Sequence, residues 1–319
     1  MSDAAILSVG SVNVDVQVRT ERWPGPGETL IGREFLMIAG GKAANVAFLA
    51  RRLHCHAQLF ARVGDDLLAD HALQPLEQQG VDLREVRRVH GKATGVALID
   101  VRPDGEKAIV LAANANEAWT SADEEQVAMS IAAAPEGSVL AIDLEVPLTI
   151  VRAAIHAARK RDLLIVLDPS PADHLDVRLR GLADYLTPNT TEAERLTGVR
   201  VRSPADGFRA GERLLASGAR AALVKLGAEG CAFTTAAAQV HVRAAPRPAV
   251  DTTGAGDAFT GGLAVGFIER QTPEEAVRYA VAASAFAVTR YGSQSSYPTR
   301  EEFERELAGV TVTSMVAGR

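Results

Sequence analysis

Short apolar runs alternate with stretches of helical period along most of the chain. Ala5–Val9 is such a run, read as a buried strand leaving into the polar loop Gly10-Ser11-Val12-Asn13-Val14-Asp15. Trp23-Pro24-Gly25-Pro26-Gly27 is a rigid turn, and residues 28–38 alternate loosely, as a strand does. A helix opens at Gly40-Gly41 and runs to about Leu53, and a strand around 59–63 precedes Gly64-Asp65-Asp66. A further helix over 67–79 closes at Gly80. Gly95–Val101 and Lys107–Ala112 are strand-like runs joined around Asp104-Gly105, a hairpin signal. From residue 139 the pattern is regular: strand 139–144 ending at Glu145, helix 148–161, then strand 163–167 ending at Asp168-Pro169. Tyr185-Leu186-Thr187 leads to Pro188-Asn189, followed by helices over 192–196 and 208–217 and a strand over 221–226. Phe259, Leu263 and Phe267 recur four apart, predicting a helix with one oily face that begins near Gly254. The tail 310–319 is expected to fray.

Strands alternating with helices imply an α/β fold, a parallel-dominated central sheet with helices on both faces. It is expected to fill residues 1–308, with 309–319 a flexible tail. The extra strand-like runs break the alternation, and a small β-sheet lid drawn from about 15–39 and 93–113 accounts for them. An isolated small sheet exposes edges and a face, so pairing with a second copy is expected, giving a homodimer. In such folds the ligand crevice lies at the carboxyl ends of the strands. Asn13, Asp15, Glu145, Asp168, Asn189 and Lys225-Leu226-Gly227 all stand at such ends and converge on one rim.

Composition narrows the function classes. A chain of 319 residues can bury a large core, and a net charge of −6 without a basic run excludes nucleic acid as the main partner. No stretch has the length and apolarity of a membrane span, and Met1-Ser2-Asp3-Ala4 lacks a charged leader. Cys55 and Cys231 suggest neither a disulfide framework nor a zinc site. A soluble, cytoplasmic protein is expected, so the glycosylation-like Asn189-Thr190-Thr191 is set aside.

The densest chemistry lies in Asp251-Thr252-Thr253-Gly254-Ala255-Gly256-Asp257. Small residues at a helix start leave backbone N–H donors uncovered at the positive end of the helix dipole, a ready site for phosphate. Asp257, in the first turn, would be a poor phosphate ligand but a sensible general base for a hydroxyl attacking that phosphate. A plain glycine-rich cap with a first-turn acid fits the same residues. Asn13 and Asp15, two apart on one extended face, suit vicinal hydroxyls, or else bond their own backbone in a turn. Gly41, Lys42 and Asn45 form a second polar cradle at a helix start, or a cap with a solvated lysine. Asn189 and Glu192 could hold magnesium through water, or serve as a cap and a first-turn acid. Lys225, Gly227 and Gly230 lie on a loop that could bed a nucleotide or close an ordinary turn. Neither a P-loop nor a dinucleotide fingerprint is present.

Together these motifs resemble the ribokinase-like (PfkB) carbohydrate kinases over nearly the whole chain. Gly40-Gly41-Lys42-x-Ala-Asn45 is similar to the family's amino-terminal signature and Asp251 to Asp257 to its long carboxy-terminal one. Pro188-Asn189-Thr190-Thr191-Glu192 is similar to its Asn-x-x-Glu motif for metal and phosphate, and Gly10-Ser11-x-Asn13-x-Asp15 to a sugar-binding start. The resemblance implies ATP-dependent phosphorylation of a sugar hydroxyl, with D-ribose giving ribose 5-phosphate as the leading acceptor. Fructose, 2-keto-3-deoxygluconate or a nucleoside is the alternative, and a sugar-binding regulator that has lost catalysis is the reading from outside the enzymes. It also implies Asp257 as base and an anion hole from the N–H groups of Gly254, Ala255 and Gly256. Asn13, Asp15, Gly41, Lys42, Asn45 and Glu145 would hold the sugar, and Asn189, Lys225, Gly227 and Gly230 the nucleotide. Mg²⁺ would sit at Asn189 and Glu192. A K⁺ site would use Asp251, Thr253, Ala287, Arg290, Gly292 and Ser296. Ala43, Val281 and residues 111–116 depart from the pattern.

Overall fold

The computed structural model describes residues 4–103 and 107–315. The chain opens with β1 (Ala5–Val9), β2 (Asn13–Arg19) and β3 (Arg33–Gly40), then α1 (Lys42–Arg52), β4 (His56–Gly64), α2 (Leu67–Gln79) and β5 (Asp82–Val89). Next come β6 (Gly95–Val101), β7 (Lys107–Ala112), α3 (Ser121–Ala132), β8 (Val139–Ile142), α4 (Leu148–Lys160) and β9 (Leu164–Leu167). They are followed by α5 (Val177–Arg180), β10 (Tyr185–Leu186), α6 (Thr190–Thr197), α7 (Pro204–Ala216), β11 (Ala221–Lys225), β12 (Cys231–Thr235) and β13 (Gln239–Arg243). The chain closes with α8 (Ala255–Ile268), α9 (Pro273–Ala287), α10 (Arg300–Leu307) and β14 (Thr311–Met315).

The main sheet has ten strands in the order β14-β13-β12-β11-β10-β9-β8-β1-β4-β5. It is parallel from β11 through to β5 and antiparallel from β11 out to β14. Successive residues of the central strands feed opposite layers, as the period of two requires. Ile6, Val139, Ala141 and Val166 join a core that also holds residues of α1, α2, α8 and α9. Leu7, Val9, Leu140, Ile142, Ile165 and Leu167 join a second core with α3 and α4. Both faces are apolar, so these strands read as continuous hydrophobic runs. The strand order turns at β1, which has β4 on one side and β8 on the other. A crevice therefore opens beyond Val9 and Ile142, at the topological switch point.

The lid is a separate four-stranded sheet, β3-β2-β6-β7, in which β2 and β6 run parallel and the outer pairs antiparallel. Its expected turn at Asp104-Gly105 lies outside the described residues.

Four expectations are corrected. Residues 13–15 are not loop but the start of β2, because Asn13 through Arg19 pairs with both β3 and β6. The strand expected over 28–38 starts only at Arg33, after the turn around Pro24 to Gly27 has run its course. The helix after Gly254 is buried almost all round rather than on one face, because α1 and α9 pack on it from two sides. Finally, Thr311–Met315 is not a frayed end: it covers the edge of β13 as an antiparallel strand, and its Thr-Val-Thr start suits that role.

Candidate active site

The crevice at the switch point is built by two strand ends pressed together. Gly10 follows β1, and a Cβ there would stand 1.8 Å from Asp143 Oδ2, so only glycine lets the chain pass. Asp143 accepts from Ser11 N at 3.2 Å and from Glu145 N at 2.8 Å, which splices the loop after β1 to the loop after β8. Glu145 is then held by the Ser11 hydroxyl at 2.7 Å, with Asn13 Nδ2 at 3.5 Å. Burial pushes the Glu145 carboxyl above its usual range, and burial with the neighbouring Glu145 holds Asp143 well above its own.

The lid supplies the next wall. Asn13 and Asp15 project from β2 on the face that carries Ala97 and Ile99 of β6 and, across β7, Ile109 and Leu111. Asn116 fixes the joint: its side chain accepts from Val12 N at 3.0 Å and donates to Val12 O at 3.2 Å and to Asn13 Oδ1 at 2.8 Å.

Opposite stand the starts of α1 and α8. Asn45 Nδ2 donates to Asp257 Oδ2 at 2.8 Å, and Lys42 Nζ lies 3.7 Å from Asp257 Oδ1. Burial raises the Asp257 pKa above the ordinary 3.8; Lys42 and Asn45 pull it back, and Asp168 adds to the rise. Burial alone would lower the Lys42 pKa, but Asp168, Asp257, Glu145 and Glu192 outweigh it and hold the ammonium well above 10.5. Gly254 enters α8 at φ 72° with its carbonyl taken by the Tyr297 hydroxyl at 2.9 Å. Gly254, as the N-cap residue, has no side chain with which to cap this first turn. Ala255 N is the least free of its amides, with a long 3.4 Å contact to Thr252 O. Such a turn can receive an anion.

These walls enclose one cleft of about 660 Å³. It brings together Asn13, Asp15, Gly41, Lys42, Asn45 and Glu145 at one end and Asn189, Glu192, Lys225, Gly227 and Gly230 further along. Thr253, Gly254, Ala255, Gly256 and Asp257 lie between them, and Val281 also faces the space. Asn189 and Glu192 form a reciprocal capping box at the head of α6, at 2.7 and 2.8 Å, so the cap reading of these two residues holds.

Asp251, Ala287, Arg290, Gly292 and Ser296 stand outside the cleft. Asp251 accepts from Thr253 N at 2.8 Å, Thr253 Oγ1 at 2.7 Å and Gly292 N at 3.0 Å, tying the two expected segments together. The Arg290 guanidinium turns away, to Glu302 at 2.7 Å and over the Phe286 ring. The Ser296 hydroxyl donates to Ser293 O at 2.7 Å, and Ala287 is fully buried.

Sequence reasoning missed Asp143, Asn116 and Gln294, which hold the lining residues rather than line the cleft. It also missed residues 244–247, which wall its far end. Asp143 gave a signal, as an acid closing the apolar run 139–142, whereas Asn116 and Gln294 gave none, since each lies among other polar residues.

The model for pfkB family carbohydrate kinases matches residues 3–300. Ribokinase of Haemophilus influenzae is 35% identical over 294 residues, covering 92% of this chain and 95% of its own. Deoxyribokinase of Salmonella typhi is also 35% identical, over 305 residues, covering 95% and 98%. The structure of Arabidopsis thaliana ribokinase complexed with ribose and ATP superposes with a TM-score of 0.84 at 31% identity, covering 96% of this chain and 99% of that one. The chain belongs to the pfkB family of carbohydrate kinases and is a phosphotransferase with an alcohol group as acceptor.

Proposed function

We propose that the protein transfers the γ-phosphoryl group of ATP to D-ribose, forming ribose 5-phosphate. The observation that carries the reading is the placement of Asp257, a buried carboxylate between the polar clamp and an uncapped helix start. The sugar lies on Asn13, Asp15, Gly41, Lys42, Asn45 and Glu145 under the apolar lid residues. Asp257 takes the proton of the attacking hydroxyl. Its raised pKa brings it nearer the operating pH, which favours a base. The amides of Gly254, Ala255 and Gly256 receive the charge that grows on the transferring group. Asn189, Lys225, Gly227 and Gly230 bed the nucleotide, and both ATP and ribose are present in the similar Arabidopsis structure.

The residues fit a magnesium ion held mostly by water and phosphate. Glu192 would supply the carboxylate; burial and Asp168 raise its pKa, and a cation would relieve both. No group of three His, Cys, Asp or Glu suited to hold a metal occurs among the described residues. Magnesium would shield the phosphates. A potassium ion beside Asp251 would compensate its buried charge and stiffen the loop leading to Gly254. The lid exposes Leu98 and Val110 at 52% and 66%, and pairing with a second copy would cover them.

2-Deoxyribose is the second reading, because the deoxyribokinase is as similar as the ribokinase. A clamp built to bond a hydroxyl rejects the analogue lacking it by up to ~10⁴-fold, so the two acceptors separate cleanly. ADP release is measured with ribose, 2-deoxyribose, fructose, 2-keto-3-deoxygluconate and nucleosides, with potassium or sodium. Ribose leading by more than about tenfold in kcat/KM supports the reading. A leading nucleoside or keto acid overturns the clamp assignment.

A further inference from the structure

We propose that Lys225 is a catalytic residue that contacts the transferring phosphoryl group, and that Asp168 is the positioning residue that aims it. The inference rests on the kinase reading above. Lys225 ends β11, and its Nζ lies 3.2 Å from Asp168 Oδ2, at the end of β9. The same ammonium is close to the first turn of α8: a Cβ on Gly256 would stand 3.4 Å from it. The two side chains are 13% and 5% exposed, so this is not a solvated lysine. A base-binding role would leave unexplained why the charge is held beside Gly256 in the first turn of α8, next to Asp257.

Asp168 gives a second observation. Its Oδ1 is buried without a hydrogen-bond partner among the described residues, and the residue helps wall a cavity of about 10 Å³ with Lys42, Asp257 and Thr260. A buried carboxylate at the foot of an anion site opposes anion binding unless a cation matches it. Lys225 provides the match through one N–H and keeps two donors for an incoming oxygen.

In the transfer, the acceptor oxygen bonds to the γ-phosphorus. The bond from that phosphorus to the β,γ-bridging oxygen breaks, its electron pair leaving with ADP, and the hydroxyl proton passes to Asp257. Lys225 donates a hydrogen bond to a γ-phosphoryl oxygen as charge develops.

The test compares Lys225→Met, Asp168→Asn and the double variant, which removes the buried pair as a unit and leaves no uncompensated charge. Lys225→Met is expected to lower kcat by ~10²-fold or more with the acceptor KM within about threefold, as for loss of one anion-hole donor. Asp168→Asn should cost less, and the double variant no more than Lys225→Met, because Asp168 acts through the lysine. An unchanged kcat with a raised KM for ATP overturns the proposal, as does a double variant well below Lys225→Met. Calorimetry with AMP-PNP and ADP needs no acceptor. The double variant should lose about tenfold in affinity for AMP-PNP and little for ADP, and equal losses overturn the proposal. If the wild type phosphorylates no acceptor, the kinase reading fails while this binding arm still tests Lys225.

Discussion

Asn45 and Asp257 are hydrogen-bonded at 2.8 Å across 212 residues of chain. The bond locks the start of α1 to the start of α8, and Gln294 Nε2 holds the other end of the Asn45 amide at 3.2 Å. With Lys42 on its second oxygen, Asp257 is oriented before any ligand arrives. On the proposed reading of Asp257 as the base, preorganisation of this kind removes the entropy of aiming it from the chemical step.

The raised pKa of Asp257 has a consequence for stability. The folded state keeps the proton to higher pH than the unfolded chain, so it binds more protons between 3.8 and the raised value. The stabilisation is full below that window and is lost as pH rises through it. Asp257→Asn should therefore gain Tm relative to wild type at pH 7.5 and gain less near pH 4, in paired thermal melts. The same gain at both pH values would contradict the assigned shift. In kcat/KM the acid limb should fall above the ordinary carboxylate range.

Gly254 has no tolerated replacement. Alanine at φ 72° costs about 1–2 kcal/mol in backbone strain alone. Its Cβ would also meet Ser293 Cβ at 2.6 Å and the Tyr297 hydroxyl at 2.8 Å. Gly254→Ala should lower turnover by ~10²-fold or more, by shifting the amides. Steady-state kinetics retaining most of the wild-type rate would remove those amides from the anion site.

Asn116 is expected to matter without lining the cleft. Asn116→Leu removes a side-chain partner from both Val12 N–H and C=O, and a buried group left unsatisfied costs about 1–3 kcal/mol. It also frees the Asn13 side chain, so the sugar KM should rise by roughly tenfold. Chemical denaturation and kinetics report the two effects separately, and a stable variant with normal KM would show that Asn116 is only a packing residue.

The lid makes a separate prediction. Val110 is 66% exposed and lies on the face of the sheet that carries Leu98. Wild type should sediment at about twice the 33.7 kDa chain mass, and Val110→Asp as a monomer. A monomeric wild type, or a variant that stays dimeric, would contradict pairing through the lid.

Much of the fold was legible because the physics was local. Helix 67–79 is read to the residue, between the Asp66 cap and the left-handed Gly80. The regular alternation from Val139 to Lys225 carried the parallel sheet. β5 was not legible: Asp82–Val89 is a half-buried edge strand whose charges hide its alternation. α9 was overlooked although Thr272, Pro273 and Glu275 announce its start. Among the candidate site residues, those on glycine-bearing helix starts and strand ends declare themselves by motif. Asp143, Asn116 and Gln294 do not, because their roles exist only through contacts made across the folded chain.

The most direct measurement is single-turnover phosphoryl transfer to ribose by Asp257→Asn, with ribose binding followed by calorimetry. Transfer should fall by ~10³-fold or more, at the upper end of general-base effects, while the ribose Kd stays within about threefold. Transfer within tenfold of wild type would show that another group takes the proton, and Asp257 would then be a structural partner of Asn45 and Lys42.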